Sequence, residues 1–252
     1  MNNESCDARR SFLRVVTAVG AGLVLNGCRG EGKSDEKAGT PESSKKGEEA
    51  RGGEVTATED LMREHGVLRR ALLAYSEAAV KLRSGPSAVA PGALQKTAKL
   101  FRAFGEEYHE RKLEEVYIFP AVKKAGGPPA AYPDILVAQH ARGREITDYI
   151  LALTKGAKLG TANAPQLAGA LDALVRMYRA HASREDTIVF PAWKQTLSAE
   201  QLDEMNEKFE DIEHEQFGED GFEDAVKQIS EIESELGLAD LAGFTAPRAP
   251  SL

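Results

Sequence analysis

Tyr108-His109-Glu110-Arg111-Lys112-Leu113-Glu114-Glu115-Val116-Tyr117-Ile118-Phe119-Pro120 is the stretch on which the fold turns. It returns some seventy residues later as Tyr178-Arg179-Ala180-His181-Ala182-Ser183-Arg184-Glu185-Asp186-Thr187-Ile188-Val189-Phe190-Pro191. Each copy holds a His, a carboxylate about one helical turn on, and an apolar run closed by Phe-Pro. Imidazole and carboxylate on one helix face form a metal-ligand arrangement, and a helix normally stops at or before proline. Two copies therefore predict two helices that end alike beside a shared site.

Working outward, the same helical periodicity recurs. Thr56-Ala57-Thr58-Glu59 has the form of a capping box, and Leu61, Val67, Leu68, Leu72, Tyr75 and Ala79 follow at helical spacing. This first helix carries His65 and stops near Ser84-Gly85-Pro86. A second begins at Pro91 and runs through His109 toward Phe119. Gly126-Gly127-Pro128-Pro129 breaks the chain. A third runs from about Pro133 past His140 to about Lys155. Asn163 is placed to cap a fourth, with Pro165 in its first turn and His181 near its end. No segment alternates at period two, and 42% hydrophobic content with only 6% aromatics favours helix over sheet. The expected fold is all-α: an antiparallel up-down four-helix bundle over residues 56–195, with additional C-terminal helices over 196–240. Gly218 and Gly221 are expected to break that extension, and 241–252 to form a disordered tail.

The chain has five His, and four of them fall one to each bundle helix: His65, His109, His140 and His181. In an up-down bundle, early positions on odd helices lie level with late positions on even ones, so the four meet near one end. His181 and Glu185 are four apart, about 40° around a regular helix, and can share a metal. His109 and Glu114 are five apart, about 140° around, which a regular helix serves less well. Two readings stand. A local π-bulge absorbs the extra residue, or Glu110, aligned with His181, supplies an oxygen of its own. Imidazoles with carboxylates suit Fe, Zn or Mn. Only Glu106-x-x-His109 fits the Glu-x-x-His spacing of ferritin-like di-iron bundles, and no partner matches it. His214 sits in the acidic run Glu210–Glu215, which reads as a solvated face, and Trp193 reads as packing.

The formal charge of -8, without a basic stripe, argues against nonspecific nucleic-acid binding. At the N-terminus, Arg9 and Arg10 precede an apolar run from Val15 to Leu25, too short for a comfortable membrane span. Arg9-Arg10-Ser11-Phe12-Leu13 resembles a twin-arginine export signal, and Leu25-Asn26-Gly27-Cys28 resembles a bacterial lipobox. These resemblances imply a signal peptide over 1–27, lipidation of Cys28, and an exported cell-envelope protein, periplasmic and lipid-anchored to the membrane. Residues 28–55 hold too little apolar surface to order and read as a flexible tether. With Cys6 lost to the signal and Cys28 lipidated, no disulfide remains.

His65, His109 with Glu114, His140, and His181 with Glu185, together with both Phe-Pro endings, resemble the hemerythrin-like (HHE cation-binding) family over roughly residues 57–195. The resemblance implies a four-helix bundle holding a di-iron centre (Fe2+/Fe3+), oxo- or hydroxo-bridged. It makes Glu114 and Glu185 the bridging carboxylates and the four His terminal ligands. Oxygen-carrying members bear two His four apart on the third helix, whereas Arg144 stands four beyond His140 here. Glu110, Glu145 or His214 is then available to replace the missing nitrogen, or a coordination position stays open. The implied function is binding of O2 or a related small molecule (NO, peroxide), more as a metal-binding protein than as an enzyme. An iron-dependent sensor or storage module acting through a partner, and a di-iron oxidase or peroxidase, are the alternatives.

Overall fold

The computed structural model describes residues 55–250, so the signal, Cys28 and all but the last residue of the tether lie outside the described residues. Helix α1 (Ala57–Ser84) starts at the expected capping box. The Thr56 hydroxyl accepts the Glu59 amide at 3.4 Å, and the Glu59 carboxylate accepts the Thr56 amide at 2.9 Å. A second rod is built of α2 (Pro91–Leu100), a π-helix (Phe101–Ile118) and α3 (Phe119–Ala125). The third is α4 (Pro133–Leu153). The fourth joins α5 (Ala164–Arg184), a second π segment (Glu185–Val189) and α6 (Phe190–Gln195). Each rod packs on the next and the fourth returns to α1, closing a four-membered ring. Short connections make successive rods antiparallel. The described residues include no strand, and the chain is all-α with helices added to the bundle.

The helices do not stop at Phe-Pro. In both copies the chain passes through Phe-Pro and continues as α3 and α6. The π turns permit this. The Phe119 amide bonds back five residues to the Glu114 carbonyl, and the Phe190 amide to the Glu185 carbonyl. Proline lacks an N–H and its ring collides with the carbonyl four residues back in a regular helix. A wider turn draws that carbonyl aside, so Phe119 keeps helical angles (φ −63°, ψ −42°) despite preceding Pro120. Asn163 also departs from expectation: it takes helical angles and its side chain makes no capping bond.

Beyond the bundle, α7 (Ala199–Phe217) opens on the capping box of Ser198 and Gln201, and α8 (Gly221–Leu236) follows one turn later. Gly218, at φ +85°, makes the break; Gly221 instead begins α8. The α7–α8 hairpin packs on α1 and the second rod. Arg70 on α1 bonds Glu233 (Nε to Oε1, 2.9 Å) and Ser230 (2.9 Å) on α8. The tail read at 241–252 begins with an exposed 3₁₀ turn, Leu241–Phe244, held by the Asp240 carboxylate.

The interior divides along the bundle. One stretch is apolar: Ala71, Ala74, Ala78 and Ala79 on α1 are fully buried opposite Leu167, Leu171 and Leu174 on α5, and their small size brings the helices close. Trp193 is packing, as its place past Pro191 suggests. It is buried and stacks on Phe209 of α7, centroids 5.7 Å apart and planes at 10°. Between that apolar stretch and the buried Leu61, Ile118, Val122, Phe190 and Trp193 near the other end lies a polar layer.

Candidate metal centre

The polar layer is formed by His65, His109, Glu114, His140, His181 and Glu185, none more than 3% exposed. His65 comes from α1, His140 from α4 and His181 from α5; His109 and Glu114 lie on the first π-helix and Glu185 opens the second. The π-helix answers the spacing question left by the sequence. Its i+5 register puts Glu114 beside His109, Oε1 lying 3.3 Å from Nε2.

The six groups arrange as two donor sets that share both carboxylates. In the first, His65 Nε2 and His109 Nε2 are 3.0 Å apart, Glu114 Oε1 lies 3.3 Å from His109, and Glu185 Oε2 lies 3.5 Å from His65. In the second, His140 Nε2 and His181 Nε2 are 3.0 Å apart, Glu114 Oε2 lies 3.4 Å from His140, and Glu185 Oε1 lies 2.9 Å from His181. Two donors each about 2.1 Å from one ion are separated by about 3.0 Å at a right angle and about 3.4 Å at a tetrahedral angle. The observed separations fall on that scale.

Two further observations show that the donors fit a metal. All four oxygens of Glu114 and Glu185 are buried and none receives a hydrogen bond of proper geometry. An orphaned, dehydrated carboxylate is costly, and a shared cation removes that cost. In addition, each imidazole turns Nε2 inward and holds its other nitrogen on an acceptor. His65 Nδ1 meets Asp186 at 2.7 Å, His109 Nδ1 meets Glu64 at 2.6 Å, His140 Nδ1 meets Glu115 at 2.9 Å, and His181 Nδ1 meets Gln139 at 2.9 Å. That contact fixes the tautomer that leaves Nε2 free to coordinate.

Without a cation the centre balances itself by protonation. Burial disfavours the charged form of His109, yet Glu114 and Glu64 outweigh it and hold its pKa well above the usual imidazole range. Burial likewise opposes, and Glu110, Glu114 and Glu115 overcome, at His140, which is raised to about 10. Glu114 is held well below the carboxylate range against its burial by His109 and His140. Protons occupying His109 and His140 stand where a metal would bind.

Four residues missed in the sequence share one rule. Glu64 precedes His65 and Gln139 precedes His140, whereas Glu115 follows Glu114 and Asp186 follows Glu185. Each is sequence-adjacent to a donor, points about 100° away around the helix, and serves an imidazole on another helix. A carboxylate or amide flanking each donor was the available signal. The Phe-Pro motifs prove to be lids as well: Phe119 stacks on His140 (5.6 Å) and Phe190 on His65 (5.4 Å), both with planes at 25°.

The remaining candidates are placed as follows. Glu110 is buried and accepts the Tyr178 hydroxyl at 2.6 Å and Arg144 at 3.1 Å; its nearest imidazole contact is 3.8 Å, to His140 Nδ1. Arg144 also bonds Glu115 at 2.6 Å, so the residue standing in place of a second third-helix His ties together two carboxylates. Glu145 is exposed and paired with Arg142, and is not brought to the centre. His214, half-buried on α7, joins none of the His/carboxylate clusters among the described residues. Glu106 accepts from Thr147 at 2.6 Å and meets Arg102 at 2.7 Å, apart from the imidazoles. Beside the donors lies a small cavity walled by Leu68, Arg69, Leu72, Tyr178 and Ala182, with Glu110 and every donor except His140 on its lining.

Comparison with known proteins agrees with this geometry. The uncharacterised proteins Mb2018 of Mycobacterium bovis and Rv1995 of Mycobacterium tuberculosis are each 41% identical over 238 residues, which is 94% of this chain and 90% of theirs. No solved structure matches the chain significantly. The sequence profile of the hemerythrin HHE cation-binding domain matches residues 56–193, the four rods that carry all six donors. The chain therefore belongs to the hemerythrin HHE cation-binding family.

Proposed function

We propose that this protein holds two iron ions between the four imidazoles and two shared carboxylates and binds one small molecule, O2 or a relative such as NO or peroxide, beside them. The observation that carries the reading is the pair of donor sets built on the four orphaned oxygens of Glu114 and Glu185. Two adjacent irons supply two-electron exchange with a bound dioxygen species. The chain does the rest. Its four Nδ1 acceptors fix the imidazoles, Phe119 and Phe190 cover two of the rings, and the small cavity beside the donors is the place for the ligand.

Carriage or sensing of the ligand fits a centre buried inside the bundle beside a small cavity. A second reading, reduction of a peroxide, draws on the Tyr178–Glu110–Arg144 hydrogen-bond chain at the cavity wall, which places a hydroxyl donor beside the ligand's place. For location, the twin-arginine and lipobox resemblances support a lipid-anchored envelope protein; among the described residues no helix is long and apolar enough to cross a membrane.

The test is metal analysis and absorption spectroscopy of protein reconstituted with Fe(II) without air and then exposed to it. Two irons per chain and new near-ultraviolet charge-transfer bands are expected. Zinc alone, or no metal, refutes the reading. Bands that reverse when oxygen is removed indicate carriage, and steady consumption of added peroxide indicates turnover.

A further inference from the structure

The α7–α8 hairpin lies beyond the matched family domain, yet it reaches the metal centre. Glu213 on α7 is 2% exposed, and its Oε2 is 3.4 Å from the Tyr108 hydroxyl. That hydroxyl also lies 3.0 Å from Glu64 Oε1, and Glu64 Oε2 holds His109 Nδ1 at 2.6 Å. The other oxygen of Glu213 accepts the Phe222 amide, in the first turn of α8, at 2.6 Å. A polar chain thus runs from α8 through Glu213, the Tyr108 hydroxyl (whose single proton faces both carboxylates) and Glu64 to the imidazole whose Nε2 faces the first donor set.

We propose that Glu213 is a positioning residue of the metal centre, and that through Tyr108 and Glu64 it couples metal loading to docking of the α7–α8 hairpin. This rests on the metal-binding reading above. Three features carry it. The seat of Glu213 is built: a side-chain carbon at Gly221 would lie 2.8 Å from both its Cγ and its Oε1, so only glycine lets α8 close on it. The seat is rigid: Phe217 and Phe222 of the hairpin pack about Phe104 and Tyr108, with Tyr108 and Phe217 edge-to-face at 5.3 Å and Arg63 4.4 Å over Phe222. The arrangement is asymmetric: His181, the counterpart of His109, has the neutral Gln139 as its acceptor. Moreover, a match covering 94% of this chain takes in α7 and α8, so the 41%-identical relatives are not matched through the family domain alone.

The physical link is polarisation. An imidazole that gives its Nε2 lone pair to a cation becomes a stronger Nδ1–H donor and pulls harder on Glu64. Glu64, Asp60 and Glu213 are buried and each place an oxygen within 4.8 Å of the others, so movement of charge at Glu64 is felt by Glu213 at short range. By linkage, the factor by which a docked hairpin tightens metal binding equals the factor by which metal tightens docking.

The experiment uses the full chain with Fe(II) as the metal, titrated anaerobically against a chelator, together with hydrogen exchange of the α8 amides in metal-free and loaded protein. Wild type is expected to show several-fold slower α8 exchange when loaded. Glu213→Gln and Tyr108→Phe are expected to weaken Fe(II) binding by about tenfold and to remove most of that difference. Arg83→Ala, which breaks an exposed pair with Asp172 between α1 and α5 and leaves the hairpin contacts in place, is expected to change neither. Tyr108→Phe deletes one hydroxyl and keeps the ring packing, so it remains informative if Glu213→Gln unfolds. Wild type that loads normally but exchanges identically with and without metal overturns the coupling alone, as does normal affinity in both variants. Wild type that takes up no metal overturns this proposal and the metal-centre reading together.

Discussion

Gly143→Ala tests how tightly the wall of the centre is made. Gly143 is buried on α4 against Tyr178 of α5, and an added methyl would lie inside the radius of the Tyr178 hydroxyl and 2.9 Å from Cε2 and Cζ. The ring cannot retreat freely, because Phe101 packs edge-on to it at 4.9 Å and its hydroxyl is drawn to Glu110 at 2.6 Å. Overpacking costs about 1–3 kcal/mol, and loss of a hydrogen bond to a buried carboxylate about 1.5–3 kcal/mol. Against these, alanine gains about 1 kcal/mol of helix propensity over glycine. The net expectation is a destabilisation of about 3 kcal/mol, read in reversible denaturant unfolding of the metal-free protein, or a fall in Tm of about 6–12 °C. In a Tyr178→Phe background, which lacks the atom the methyl strikes first, the same change is expected to cost about 1 kcal/mol. Gly169→Ala is the control: no heavy atom meets its methyl, and it should stabilise α5 by about 1 kcal/mol. Gly143→Ala within 0.5 kcal/mol of wild type (the usual range of a neutral surface change), or an equal cost in both backgrounds, would refute the contact argument.

Other consequences follow from the same geometry. His181→Ala and Glu185→Ala should each lower iron content on reconstitution, measured by elemental analysis, whereas His214→Ala should retain it; equal iron in all three removes the site. The metal-free protein should lose stability as pH rises above the ordinary imidazole value toward 10. His140 binds a proton more tightly folded than unfolded, so its contribution is complete below pH 6.5 and lost through its folded pKa of about 10. His109 acts in the same direction. Loaded protein should lack this slope and should release protons as it takes up metal, which thermal melts and unbuffered titration would reveal. Arg144→Ala leaves Glu110 and Glu115 without their shared cation and should cost about 2–3 kcal/mol in denaturant unfolding while sparing iron content; loss of iron instead would give Arg144 a role in holding the centre.

Local pattern alone determined much of this molecule. The 3.6-residue periodicity, the Thr56 and Ser198 capping boxes and the Gly-Pro breaks define the helices because caps and breakers act within a few residues. One His per helix, level in an up-down bundle, was enough to bring the four imidazoles to one end and, with the four-residue spacing, to pair His181 with Glu185; the choice between Glu114 and Glu110 stayed open. Only the tertiary structure decided how the donors are used. The five-residue spacing of His109 and Glu114 is ambiguous in sequence because a π turn gains its worth from the partners it faces, here His140 across the bundle. Glu64, Glu115, Gln139 and Asp186 were hidden because each serves an imidazole between 25 and 121 residues away. Phe-Pro read as a stop because proline's local rule is to end helices, and the widened turn before it suspends that rule. Spacing along the chain names a donor's helix and face; what its carboxylate or imidazole bonds is fixed across helices, by distance and burial.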